Sequence, residues 1–442
     1  MLEKLFHLQE AGTTLKREVV AGCTTFATLS YIIFVQPAVL SEAGMDSGAV
    51  MAATCITSAF AMLLMAFLAN YPIALAPGMG HNVFFAFTVC GALQVPWQTA
   101  LGAVFIAGIF FVLFAFVGLR EKIMSILPDS LRNAIPAGIG LFIALVGLEW
   151  SGLIVQDKAT YVTLGDLKSA PVLLSLFGIG VMAVLFALNI RGAILIGILA
   201  SAVVALITGM ATFQGVVSAP PSMAPTFFKL QIPNIFLQPE LISIIVIFIF
   251  LDLFDTVGTL VGVTQQAGLM VDGKLPKARQ ALLSDAVATS SGALLGTSTV
   301  TSYIESASGI SAGGRTGLTN VVTAALMLLA LFFHPLIKMV GAGYNIGDNT
   351  YLYPVIAPAL IIIGSLMLKN VVHIDWEDFT ESLPAFLMLL MMPLTFSITE
   401  GFAFGFISYS FLKLITGKGK QVHWLIYLFA ILFVVRYVWL TV

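Results

Sequence analysis

Gly296 to Thr316 reads GTSTVTSYIESASGISAGGRT. Ser, Thr and Gly make up most of it, and its one carboxylate is Glu305. The surrounding chain is 59% hydrophobic and only 10% charged, with apolar runs of membrane-helix length on both sides of the stretch. Irregular polar backbone at membrane depth is tolerated only where protein buries it or where it lines a wet cavity. This stretch is therefore the first candidate for a binding site.

A mean hydropathy of +1.03 over 442 residues excludes an ordinary soluble domain, in which roughly 25% of residues are charged. Apolar runs of about 18 residues or more recur along the whole chain, the mark of an all-α polytopic membrane protein. A β-barrel would show weak alternation in place of long runs. The net charge of −2 says little about partners beyond the lipid bilayer, and nothing suggests nucleic acid. The N-terminus lacks the uninterrupted apolar core and cleavage site of a signal peptide. Leu2, Leu5, Phe6 and Leu8, set against Glu3, Lys4 and Glu10, predict a short amphipathic helix on the membrane surface. Cys23, Cys55 and Cys90 sit inside apolar runs without ligand spacing and read as packing residues.

The spans number about fourteen, and loop charge orders them. With the N-terminus cytoplasmic, Arg120, Lys122, Arg132 and Arg191 fall inside in the first half. Lys274, Lys277, Arg279 and Arg315 do so in the second. The longest non-apolar gap, Thr212 to Pro239, contains Pro220, Pro221, Pro225, Pro233 and Pro239 and divides the chain. Each half opens with a long span and has a broken segment third. Seven spans per half, an odd number, make the second copy inverted, and paired broken helices in inverted repeats point to a transporter with a midplane site. A last apolar segment with Arg436 is open to two readings, an extra span or an interfacial helix.

The first broken segment, Tyr71 to Phe87, is YPIALAPGMGHNVFFAF. Pro72, Pro77, Gly78 and Gly80 resist a continuous helix, whereas His81 to Phe87 can begin one. Its partner, TSTVTSYIE (Thr297 to Glu305), is β-branched and then also turns helical. Each reads as an extended piece followed by a half-helix with free N–H donors at its start, Asn82 and Glu305 lying in the first turn. The alternative is that Gly and Pro merely kink packed helices, but a kink needs no acid. The third element is FIFLDLFDTVGTL, Phe248 to Leu260, with Asp252 and Asp255 three residues apart on one helix face. A carboxylate at the centre of a span costs roughly 2.5–3.5 kcal/mol, so both should face the interior and mark a functional path. Two close acids resist ionising together, which suits proton coupling.

His81 reads either as a ligand donor or as a local cap. Arg315 reads as a topology anchor in an inner loop. Thr24, Thr25 and Thr28 either face the cavity or back-bond to their own helix. Phe84, Phe85 and Tyr303 can stack on a flat ligand or simply pack. The chain lacks a G-x-x-x-x-G-K-[ST] motif, an H-E-x-x-H motif and metal-spaced Cys/His clusters, so it reads as needing no ATP, metal or cofactor. A channel would show repeated polar rings and a membrane protease an identifiable dyad. A transporter, not an enzyme, is the reading left.

TTFATLSYIIFVQP (Thr24 to Pro37), ALAPGMGHNVFFAF (Ala74 to Phe87), LDLFDTVGTL (Leu251 to Leu260) and TSTVTSYIESASGISAGGRTGLT (Thr297 to Thr319) together resemble the AzgA-like purine permeases. These belong to the nucleobase transporter superfamily, whose fold is typified by the bacterial uracil permease. The resemblance implies fourteen spans in two inverted repeats of seven, split into core and gate domains. After an N-terminal segment 1–17, the core takes 18–118 and 240–341. The gate takes 132–211 and 351–416, and 423–442 is a C-terminal apolar segment. It implies that Asp252, Glu305 and Asn82 hold the base, with Tyr303 lining the pocket and Thr25, Phe84 and Phe85 nearby. Asp255 is implied in transport, and Asp252, Asp255 and Glu305 form the titrating group. The implied activity is import of adenine, guanine or hypoxanthine by proton symport with alternating access in the cell membrane. The superfamily also suggests a homodimer. The sequence departs from family members at His81 and Val83, where they often carry Leu and Ala. The alternative is a transporter of the same fold for xanthine, urate, uracil or an inorganic anion.

Overall fold

The computed structural model describes residues 2–117, 127–232, 239–270, 275–347 and 350–439. Arg120, Lys122, Pro233 and Lys274 lie outside the described residues. Among those described, seven helical stretches are long and apolar enough to cross a bilayer, and shorter apolar helices accompany them. The strands among the described residues form three two-stranded antiparallel pairs. It is a helical, multi-span membrane protein.

The chain opens with α1 (Leu2–Phe6). Leu2 and Leu5 stay exposed, but Phe6 is buried against Phe67, with ring centroids 5.9 Å apart. The helix thus docks by its last residue. Next come α2 (Leu15–Leu29) and α3 (Ile32–Ser41), which make one 27-residue apolar stretch stepped at Ser30–Tyr31. Thr14 caps α2 by accepting from the Arg17 N–H, satisfying one of the orphan donors of a helix start. Helix α4 (Ser47–Leu64), capped by Asp46, runs on as a π-helical turn, Met65–Ala69, and stops at Asn70 with φ 58°. Asparagine tolerates that left-handed stop.

Then follow β1 (Leu75–Pro77), α5 (Met79–Val83), a π-helical continuation Phe84–Ala92, and α6 (Trp97–Val117). Helix α7 (Asp129–Trp150) leads into the hairpin β2 (Ile154–Asp157) and β3 (Tyr161–Leu164), then α8 (Ala170–Ala187) and α9 (Ala193–Ile207). The second half starts with α10 (Pro239–Gln266), α11 (Ala278–Leu295), β4 (Val300–Ser302) and α12 (Ser306–Ser311). Next are α13 (Leu318–Ala330), α14 (His334–Gly341) and the pair β5 (Tyr344–Gly347) and β6 (Thr350–Leu352). It closes with α15 (Ala357–Met367), α16 (Phe379–Leu394), α17 (Ile398–Ile415) and α18 (Trp424–Trp439).

Two packing groups emerge. In one, α13 lies on α2 and α4, while α11 lies on α4 and α6. In the other, α7 lies on α15 and α16, α16 on α17, and α8 on α9. The last helix, α18, runs along α17, where Arg436 Nη1 donates to Glu400 Oε1 at 2.8 Å. In lipid the drive for such packing is close approach of small residues. At Gly364 of α15 a Cβ would lie 2.3 Å from the Gly140 carbonyl oxygen of α7.

Three sequence readings gain detail here. The gap after α9 packs on the helices: Thr226 is fully buried, the Phe228 N–H donates to Leu294 O at 2.8 Å, and the Gln231 N–H donates to Gln98 O at 2.9 Å. It closes over the end of α11 and the start of α6. Arg315 does more than anchor topology, because its Nη1 donates to Ile310 O at 2.8 Å and Gly314 O at 2.7 Å, capping the end of α12. Cys23 is exposed, whereas Cys55 is buried and Cys90 is partly buried against the core, so the packing reading fails only for Cys23.

Gly364→Val should deplete folded protein in the membrane, since the obstructing atom is backbone and cannot rotate away. Detergent extraction and size-exclusion chromatography would show an aggregated or absent peak; a parent-like monodisperse peak would contradict the packing described.

Candidate functional site

The two polar segments meet in the interior. Strands β1 and β4 pair antiparallel, with Leu75 opposite Ser302, Ala76 opposite Thr301 and Pro77 opposite Val300. All six residues are buried. The pairing extends at both ends, through Gly78 N–H to Thr299 O and Tyr303 N–H to Ala74 O, each 2.9 Å. Side chains satisfy what remains. Ser306 Oγ accepts from the Ala74 N–H at 2.9 Å, and Asn320 Nδ2 donates to Tyr71 O at 3.0 Å and Ile73 O at 2.7 Å. The Thr289 hydroxyl donates to Val300 O at 3.0 Å. Backbone without water must find such partners, because each orphan costs several kcal/mol in hydrocarbon.

From this strand pair two short helices depart, α5 after Gly78 and α12 after Glu305. Helix α10 packs across both and across β4. Glu305 stands at the position just before α12, one earlier than a first-turn placement, and its side chain makes no capping bond to the helix. Its carboxylate Oε1 accepts from the Tyr31 hydroxyl at 2.8 Å, and it is only partly buried. Asp255 of α10 faces the other turn. Its Oδ2 lies 3.8 Å from His81 Nδ1, and its side chain is 37% exposed against 2% for His81. Asp255 and Glu305 are therefore the carboxylates that reach open space between the elements.

The other expected residues stand behind them. Asp252 is fully enclosed; the Thr256 hydroxyl lies 3.4 Å from its Oδ1 and 3.0 Å from Asp285 Oδ1. Although Asp252 and Asp255 share a helix face, they meet different partners. Asn82 is buried and accepts from the Ser298 hydroxyl, tying one broken segment to the other. Tyr303 is buried, and its hydroxyl donates to Pro77 O at 2.5 Å. Phe84 and Phe85 are enclosed, Phe84 edge-on to Phe248 at 4.9 Å. Thr25 is enclosed and lies where Gly309 has no side chain, since a Cβ there would sit 2.0 Å from Thr25 Oγ1. Thr24 back-bonds to Val20 O at 2.8 Å, whereas Thr28 bonds to Thr25 O at 2.9 Å and reaches Glu305 O at 3.4 Å.

One expectation fails. The first N–H groups of α12 are not free donors, because those of Ser306, Ala307 and Ser308 turn back to the carbonyls of Tyr303, Ile304 and Glu305. Three participants went unread in the sequence. Tyr31 sits in a hydrophobic run, TLSYIIF, where its hydroxyl was the only signal. Asp285 lies in LLSDAVA, close enough to Lys277 and Arg279 to pass for loop charge. Glu18 begins the first span yet is fully buried, accepting from the Arg315 N–H (2.8 Å), the Thr319 N–H (3.1 Å) and the Thr319 hydroxyl (2.6 Å). It pins α2 to the start of α13.

His81 is the unusual member. It is 1% exposed, and neither ring nitrogen has a hydrogen-bond partner among the described residues. A buried polar atom left so costs about 1–3 kcal/mol. Gly78 makes room for the ring, since a Cβ there would lie 2.6 Å from His81 Nδ1. If His81 carried a proton, its attraction to Asp255 at 3.8 Å would be about 4 kcal/mol at an effective dielectric near 20. That exceeds the ~0.3–1 kcal/mol by which a helix N-terminus opposes a cation but not the several kcal/mol that enclosing an ion without hydrogen-bond partners costs.

No group of three or more His, Cys, Asp or Glu side chains among the described residues could hold a metal. An open cavity of about 300 Å³ lies elsewhere, bordered by His334, Lys338, Tyr351 and Tyr353, and contains none of the expected site residues.

Buried carboxylates on paired polar turns, inside a multi-span helical protein, define a membrane transporter and not an enzyme. The profile of the permease family (Xan_ur_permease) matches residues 16–404, and the chain belongs to that family. It is 49% identical over 442 residues to the permease relative MJ0326 of Methanocaldococcus jannaschii, covering 100% of this chain and 99% of that one. It is 43% identical to the adenine permease AdeP of Escherichia coli K12, covering 100% of this chain and 96% of the other. It is also 43% identical to the guanine/hypoxanthine permease PbuG of Bacillus subtilis, covering 99% and 100%. The fold is similar to the transmembrane domain of the cyanobacterium bicarbonate transporter BicA, with a TM-score of 0.64 and 15% identity over 87% of this chain and 97% of that one.

Tyr31→Phe tests the geometry directly. A hydrogen bond to a charged group is worth roughly 1.5–3 kcal/mol, so substrate affinity should fall about tenfold or more with protein level unchanged. An unchanged KM for uptake would remove Tyr31 from the site.

Proposed function

We propose that this chain imports purine nucleobases (adenine, guanine or hypoxanthine) across the cell membrane by proton symport with alternating access. The observation that carries the reading is Glu305, held by the Tyr31 hydroxyl at 2.8 Å at the end of the paired strands, with one side left open. A purine is flat, neutral and polar-edged. A carboxylate can accept from its ring N–H groups, and aromatic rings can cover its faces. The names of relatives such as the adenine permease AdeP and the guanine/hypoxanthine permease PbuG support the substrate class.

In this reading Glu305 accepts the base, Asp255 faces it from α10, and Asp252 stands behind with Asp285. Asn82 and Tyr303 complete the pocket once they exchange Ser298 and Pro77 for the ligand. Thr25, Phe84 and Phe85 back the two turns. The group Asp252, Asp255 and Glu305 takes the coupled proton. The two packing groups of helices support a division into core (18–118 and 240–341) and gate (132–211 and 351–416). Fourteen spans in two inverted repeats, with the third and tenth broken, follow from that division, and the N-terminus lies in the cytoplasm. The core moves against the gate to expose the site to alternate sides.

Uptake of radiolabelled adenine, guanine and hypoxanthine by cells expressing the chain, each competed by the others and by uracil, tests the substrate class. Displacement by none of them sinks the nucleobase reading and leaves an anion or another planar solute. Uptake that persists after a protonophore collapses the gradient sinks symport alone. Glu305→Gln should reduce purine uptake at least a hundredfold, the loss of about two charged hydrogen bonds, with the protein still in the membrane; full transport by that variant refutes the assignment of Glu305.

A further inference from the structure

His81 lies in neither of the roles read from the sequence. It touches no open space, and it caps nothing: both of its ring nitrogens are without a hydrogen-bond partner among the described residues. What it faces is Asp255, with Nδ1 3.8 Å from Oδ2. Gly78 is what admits the ring, and the same missing side chain lets the Thr301 hydroxyl approach, since a Cβ at Gly78 would lie 2.6 Å from His81 Nδ1 and 3.0 Å from Thr301 Oγ1. The cradle is built from both polar segments, because Thr301 lies on β4 and Gly78 at the end of β1.

The geometry points to His81 as a positioning residue that shares one proton with Asp255 and so sets how the site responds to pH. When a proton enters, it lies between Asp255 Oδ2 and His81 Nδ1, the neutral imidazole accepting from the protonated carboxyl, and the other carboxyl oxygen can still accept from a ligand. When the proton leaves, Asp255 is a carboxylate and the enclosed imidazole stays neutral. Closing the pair to hydrogen-bond length needs a movement of about 1 Å, within the reach of a side-chain adjustment. The neighbouring acids favour a proton held by the pair. Asp252 is one turn back along the same helix, Asp285 acts on Asp255 from α11, and Glu305 acts on it from the start of α12. Tyr31 and Tyr303 are the remaining titratable groups facing the cluster. Among the described residues His81 is the one basic side chain within 4 Å of Asp255. Asp252, Asp285 and Glu305 thus lie on the acid's side of a pair that can hold one proton.

This inference rests on the proton-symport reading, and one experiment separates the two. Uptake of whichever labelled purine the parent transports is measured from pH 5 to 8 for the parent, His81→Leu and His81→Asn, with surface abundance of each determined. Removing the acceptor that stabilises the protonated carboxyl should move the midpoint of the uptake profile acidward by about one pH unit, the size of one lost hydrogen bond. A merely structural histidine would lower uptake by the same factor at every pH. A flat profile for the parent sinks both readings. A pH-dependent parent whose midpoint both variants retain overturns the role of His81 and leaves symport standing. Should His81→Leu fail to reach the membrane, His81→Asn decides, because its amide keeps a donor at that place but takes up no proton.

Discussion

Six residues of extended backbone, Leu75–Pro77 and Val300–Ser302, hydrogen-bond to each other in the interior of an apolar protein. The rest of the structure depends on that pairing. Neither segment can be helical through its Pro, Gly and β-branched residues, and extended backbone in hydrocarbon is affordable only when every donor and acceptor is met. Thr289, Ser306 and Asn320 supply the partners that the opposite strand does not. Their own helices, α11, α12 and α13, are thereby fixed around the pair. Tyr303 adds a side-chain tie back to Pro77, and Asn82 a tie to Ser298.

That arrangement sorts the acids by what they face. Glu305, just past the end of β4, and Asp255, beside His81, keep part of their surface free, whereas Asp252 and Asp285 share the Thr256 hydroxyl in a closed setting. Carboxylates of like depth thus have unlike surroundings. A group with open space on one side can exchange a hydrogen-bond partner for a ligand, while a group closed on all sides holds its neighbours in place. The same logic separates Tyr31, which donates directly to Glu305, from Phe84 and Phe85, which are wholly packed.

Much of this was legible in the residues. Pro72, Pro77, Gly78 and Gly80 mark the first break, Thr297 to Tyr303 the second, and the acids at membrane depth mark the path, because each is expensive unless used. What the residues could not convey was pairing. Asp252 and Asp255 sit on one helix face, but which neighbouring helix each meets depends on how α10 lies against α5, α11 and β4. Tyr31 and Asp285 were hidden for opposite reasons, the first as an aromatic in an aromatic-rich span, the second as an acid beside loop cations. The donors of α12 were misjudged because three N–H groups close into tight turns, a local geometry that no composition announces. His81 reads two ways in the sequence because a single histidine has many uses; its burial and its lack of hydrogen-bond partners among the described residues single it out.

Pro77 and Tyr303 are 226 positions apart, and that separation has a consequence for how the protein is made. A ribosome adding roughly 5–20 residues per second needs on the order of ten seconds or more to travel between them. Through that interval the first polar segment has been synthesised and its only matching strand has not. It must wait at the bilayer surface or within the insertion machinery, since exposed backbone cannot rest among lipid tails. The interior that handles the cargo is therefore among the last parts of the molecule to close. A chain stalled between the two halves should present that unpaired segment to whatever surveys unfinished membrane proteins.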